Sequence, residues 1–140
     1  MSEIRECLEE YFGRQAPSGV VSAYLFGSHA EGRSHRESDV DVGVLLDWAR
    51  YPTAEARFDA RVDLGSELIH ATTTNEVDVV ILNDAPPLFG RAIVTRGIRV
   101  HCSDAEADHV YVRDVQLRAA DLAPFLERMR RIKLEALRRT

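Results

Sequence analysis

Only two cysteines occur in the 140 residues, Cys7 and Cys102, and neither has a second cysteine or a histidine at zinc-site spacing. A disulfide framework and a thiolate metal centre are therefore excluded as organising principles. No apolar run approaches the ~20 residues that cross a bilayer, and the opening MSEIRECLEE lacks the apolar core of a secretory signal. These absences predict a cytoplasmic protein with no membrane contact. Repeats and low-complexity tracts are missing as well, which argues against a solenoid or a long linker. Positive charge is not in excess: 18 Lys and Arg face 23 Asp and Glu, a formal net charge of −5. The molecule as a whole repels a nucleic-acid backbone, so direct nucleic-acid binding is not expected.

What is present is a soluble chain of single-domain length, read as one domain over residues 1–140. Its centre is the stretch Tyr24 to Leu46, YLFGSHAEGRSHRESDVDVGVLL. The apolar run Val20–Phe26 stops at Gly27-Ser28, a polar segment follows, and Asp39-Val40-Asp41 opens a second apolar run to Leu46. This predicts a strand, a loop and a strand. Aspartate is depleted in strands, and residues two apart share a strand face, so Asp39 and Asp41 point the same way. Two carboxylates side by side repel unless a cation joins them. Mg2+ suits them, because it takes one or two carboxylates together with substrate phosphates. Gly27 allows close backbone approach to a ligand, and the Ser28 hydroxyl can donate to phosphate oxygens. A purely structural reading competes: an ordinary Gly-Ser turn, with the aspartates paired to Arg33 or Arg36.

Gly27-Ser28, ten intervening residues and Asp39-Val40-Asp41 resemble the GS-x10-DxD pattern of the polymerase-β-like nucleotidyltransferase superfamily. In so short a chain, the pattern is similar to that of the minimal nucleotidyltransferases (MNT), many of them antitoxins to HEPN-domain RNase toxins. His29 and Glu31 depart from the basic residues that many members carry in this loop.

The flanking elements read as follows. A helix spans Ser2 to about Tyr11, with Ser2 as N-cap and Gly13 as its stop. Trp48 and Tyr51 lie in a loop and fill the edge of the core, with base stacking as the minor reading. A long helix capped by Thr53 carries Ala54, Phe58, Val62, Leu64, Leu68 and Ile69 inward and breaks at Thr72–Asn75. The third strand, Glu76–Leu82, holds Asp78 within an apolar run, where a buried carboxylate needs a partner. A site shared with Asp39 and Asp41 supplies one; pairing with an arginine such as Arg91 is the structural alternative. Glu76, at the mouth of the strand, is the weaker candidate. Pro87 opens a helix that ends at Gly97, and a short strand follows over Ile98–Cys102. From Ser103 or Asp104 the chain is helical to its end, with a break or kink near Pro124. Leu122, Phe125, Leu126, Met129, Ile132 and Leu137 form an apolar stripe that is core or a groove for a partner helix. The arginines around them form a solvated or partner-facing surface.

The fold expected is α/β: a small mixed sheet of about four strands with helices packed on one face and C-terminal helices beyond. The resemblance implies Mg2+-dependent transfer of AMP from ATP to a protein hydroxyl, a tyrosine of a HEPN toxin, by an antitoxin bound to that toxin. It assigns Gly27 and Ser28, with Asp39 and Asp41, to the nucleotide. Asp39, Asp41 and Asp78 go to catalysis and to two metal ions. Two alternatives stand beside it: an antitoxin that occludes its partner without catalysis, and a small-molecule nucleotidyltransferase of the aminoglycoside type.

Overall fold

A computed structural model describes residues 2–32 and 39–139. Arg33 and Arg36, the alternative partners of the aspartates, lie outside the described residues. The order is α1 (Ser2–Arg14), β1 (Val20–Phe26), β2 (Val40–Leu46), α2 (Ala54–Thr72), β3 (Val77–Ile81), α3 (Pro87–Arg96), β4 (Ile98–Cys102) and α4 (Ala105–Arg138). Single 3-10 turns follow β1, at Gly27–His29, and β3, at Leu82–Asp84. The strands form one mixed sheet in the order β3-β2-β1-β4. β1 runs antiparallel to both β2 and β4, while β2 and β3 are parallel. A parallel pair needs a crossover, and α2 provides it.

Val40, Val42, Val44 and Leu46 alternate onto one face of β2 and are fully buried. They pack with Leu8, Tyr11 and Phe12 of α1 and with Leu64 and Leu68 of α2. On the opposite face Tyr24 and Leu45 pack with Leu82 and Ile93, and α3 and the first turns of α4 cover them through Val94, Ala107 and Tyr111. Helices thus lie on both faces rather than one. The cause is visible in β2, whose last three residues, Val44-Leu45-Leu46, are all buried: consecutive apolar positions need cover on both sides.

Several local expectations change with their physical context. α1 passes through Gly13, where a side chain would meet nothing within 4 Å, and ends at Arg14, shortly before Pro17. Residues preceding proline are driven out of the helical region, so Pro17 is the stronger stop. Thr53 caps α2 as expected, accepting from the Ala56 amide at 3.0 Å, and the helix closes on Thr73 at φ +52°. Phe58 and Val62, however, are 57% and 52% exposed. Arg57 takes the inward position instead, bridging to Asp84 at 3.0 Å, donating to the Tyr51 carbonyl at 2.8 Å and stacking over Trp48. Trp48 is therefore exposed beneath a guanidinium, not core filler, whereas Tyr51 packs against the main core. Gly97 ends α3 without a left-handed conformation: a Cβ there would lie 2.4 Å from the Ile93 carbonyl oxygen. Close approach, not a positive φ, is what requires glycine.

α4 is capped by Asp104, which accepts from the Ala107 amide at 3.1 Å, and is unbroken through Pro124. Proline removes one helical hydrogen bond, and the carbonyl it frees belongs to Ala120, on the exposed surface where water can reach it. The stripe from Leu122 to Leu137 is exposed, so it is not core of this chain. No helix among the described residues is long and apolar enough to cross a membrane.

Candidate functional site

The open end of the sheet gathers the residues that the sequence singles out. Phe26 is paired with Asp41 across β1 and β2, and Asp41 is paired with Asp78 across β2 and β3. Neighbouring strands lie ~4.8 Å apart, so Asp41 and Asp78 stand side by side on one face. Asp39 immediately precedes β2, two residues from Asp41. Oxygens of Asp39, Glu76 and Asp78 all lie within 4.8 Å of one another. Three exposed carboxylates converge there, and among the described residues none of them forms an ion pair. Asp78 is thus not the buried carboxylate that the apolar run suggested, because α2 covers the opposite face of β3 and leaves this one open. Glu76, the weaker candidate by sequence, is exposed and part of the cluster. Its spacing of two from Asp78 was the available signal, since alternate strand residues share a face.

Gly27 ties the loop to this cluster. It has φ +76°, and a Cβ built on it would lie 2.3 Å from Asp41 Oδ2. Only a residue without a side chain lets β1 end so close to that carboxylate. The turn then closes as the amides of Ala30 and Glu31 donate to the Gly27 carbonyl, each at 3.1 Å. Half-buried Ser28 follows directly. The first amides of a helical turn have no partner within it, which suits an anionic ligand. Hard oxygen donors at this spacing suit a hard divalent cation such as Mg2+.

Electrostatics agree with a site built for a cation. The Asp41 carboxyl is held above the usual carboxylate range, first by burial and then by Asp78 and Asp39, with His29 opposing. A carboxyl whose pKa is raised by folding favours the fold below its unfolded pKa and loses that contribution as pH rises through the folded value. Asp41→Asn is therefore expected to raise the melting temperature of metal-free protein at pH 7 by a few degrees. The gain should vanish near pH 3, where both forms are neutral at this position. Equal melting temperatures at pH 7 would contradict the electrostatic account.

The family model "Polymerase beta, Nucleotidyltransferase" matches residues 6–106. Protein adenylyltransferase MntA of Shewanella oneidensis is 37% identical over 76 residues, which cover 53% of this chain and 48% of that protein. The matched stretch thus spans about half the length of that relative. In a toxin-antitoxin structure with AMP-PNP, one chain shares the fold at TM-score 0.65 and 22% identity, covering 95% of this chain and 97% of that one. A complex of the tri-AMPylated Shewanella oneidensis HEPN toxin with MNT antitoxin matches at TM-score 0.60 and 19% identity, covering 95% and 98%. At such identities the structural likeness is one of fold. The family match takes in both halves of the Gly-Ser and Asp-x-Asp pattern and every strand of the sheet, and the chain belongs to the polymerase beta nucleotidyltransferase family.

Proposed function

We propose that residues 1–140 form one nucleotidyltransferase domain that transfers AMP from ATP to a protein hydroxyl, a tyrosine of a HEPN-domain toxin, and thereby acts as a cytoplasmic antitoxin. The observation that carries this reading is the meeting of Gly27 with Asp41, beside Asp39 and Asp78, at one open end of the sheet. Gly27 and Ser28 hold the triphosphate, Gly27 by admitting it close to the backbone and Ser28 by donating its hydroxyl. Asp39 and Asp41 orient the nucleotide from the β2 side. Asp78 accepts the proton of the attacking hydroxyl; the new bond joins that oxygen to the α-phosphorus, and the bond to pyrophosphate breaks. Two Mg2+ ions held by Asp39, Asp41 and Asp78 would supply neutralisation of the phosphate charge. The names of the relatives support the acceptor: one is a protein adenylyltransferase, and another is the antitoxin of an AMPylated HEPN toxin.

The test is intact-mass spectrometry of a purified HEPN toxin after incubation with this protein, ATP and Mg2+. Mass should rise in AMP units. Asp78→Asn should lower the rate by at least about 100-fold, as loss of a group acting in the transition state does, while ATP affinity stays within about three-fold. A toxin that is silenced without gaining mass would replace catalysis by occlusion.

A further inference from the structure

Beyond Ala119, α4 leaves the body of the protein. Every residue from Asp121 to Arg139 is exposed. Leu122, Phe125, Leu126, Met129 and Ile132 lie on this segment with exposures of 36% to 53%. Spacings of three and four carry the row on from Val115 and Ala119, which α4 buries. The overhang, ~25 Å long, is of a length at which an isolated helix is marginal in water, so packing of its apolar row is what would hold it.

Charge indicates what packs there. Residues 122–139 carry six basic and two acidic side chains, a net +4 in a chain whose total is −5. Pairing two overhangs would set like charges together; an acidic surface with an apolar floor fits instead. This chain has such a surface. A cavity of about 440 Å3 lies between the first half of α4 and the end of β2, with Val21, Leu45, Leu82 and Val110 among its apolar lining. Asp47, Asp104, Glu106 and Asp114 line it too, against one base, Arg118. It sits at the Leu46 end of β2, away from Asp39 and Asp41 at the other end.

We propose that a second copy of this chain occupies this groove with its α4 overhang, and that the exchange is reciprocal about a two-fold axis. The acidic first half of each α4 then lies along the basic second half of its mate, antiparallel, and both candidate transfer sites stay open. Reciprocal exchange gives the dimer two such contacts, which brings a single projecting helix closer to the typical interface of about 800 Å2 per partner.

Light scattering of the full chain without any toxin, at about 50 µM, should give twice the 15.8 kDa chain mass. Dissociation should strengthen at least ten-fold between about 0.1 and 1 M salt, because the contact is charge-matched. Leu126→Asp with Met129→Asp spoils the overhang and Val110→Asp the groove; each variant should be monomeric. Mixed together they keep one sound contact of the two, so a 1:1 dimer weaker than the parent's should form at concentrations where each variant alone is monomeric. Glu106→Lys, at an exposed position where folding is not at stake, should weaken the dimer at least ten-fold. A parent that is monomeric alone and associates only with a HEPN toxin overturns the proposal. Folded overhang and groove variants that stay monomeric when mixed also overturn it.

Discussion

Gly27→Ala is expected to lower AMP transfer by at least about 100-fold while the protein still folds. The φ of +76° at this position costs an L-residue about 1–2 kcal/mol. That is a modest part of a typical domain's stability of about 5–15 kcal/mol. The larger consequence is local: the new methyl would stand 2.3 Å from Asp41 Oδ2, so the carboxylate must swing away or the two strands must part. Either movement displaces Asp41 from Asp78, its neighbour in register. A shift of about 1 Å in a reacting group is enough for a 100-fold loss. Transfer assays beside thermal melts separate the two effects. Parental activity in Gly27→Ala would show that the Gly27–Asp41 contact has no part in the reaction.

Asp108→Ala is expected to cost about 3–4 kcal/mol of stability, with Asp108→Asn costing less. Asp108, in the first turns of α4, is 3% exposed. Its Oδ1 accepts from Ser22 Oγ at 2.6 Å and from the Tyr24 hydroxyl at 2.7 Å, and its Oδ2 accepts from Arg99 Nη1 at 3.0 Å. Three strand side chains thus converge on one helix carboxylate and fix α4 against β1 and β4. Alanine leaves two buried hydroxyls without their acceptor, and an unmet buried donor costs more than the bond itself contributes. Asparagine keeps one acceptor oxygen for the Ser22 and Tyr24 hydroxyls but loses the charge and the acceptor of Arg99. Urea unfolding of the three proteins should rank parent, Asn, Ala in falling midpoint; a midpoint for Ala equal to the parent's would contradict the assigned role. Because β1 leads directly into Gly27, the Ala variant should also narrow the temperature range of activity.

How much of this was legible beforehand depended on whether chemistry or packing decided the residue. That Gly27-Ser28 and Asp39 with Asp41 stand out could be read in sequence because aspartates heading an apolar strand are unusual, and a Gly-Ser turn, ordinary by itself, precedes them at a fixed spacing. The strands and the cap at Thr53 followed from alternation and turn chemistry. Asp108 could not be read in that way: an acidic residue in the first turn of a helix looks like a dipole-facing surface group, and its partners Ser22 and Tyr24 lie 86 and 84 positions away. On α2, hydrophobicity alone turns Phe58 and Val62 inward ahead of Arg57, yet the carboxylate of Asp84 and the Tyr51 carbonyl draw Arg57 inward instead. The α4 stripe was legible as a stripe, but periodicity alone does not tell whether the surface it seeks belongs to its own chain.

The most direct test of the central claim is to incubate the protein with α-labelled or γ-labelled ATP and Mg2+ in extract of its own host, and to resolve the products on a denaturing gel. A protein band labelled from the α position alone, and absent with the Asp39→Asn, Asp41→Asn variant, is the predicted result. A band labelled from the γ position, or one that persists undiminished in that variant, would contradict it.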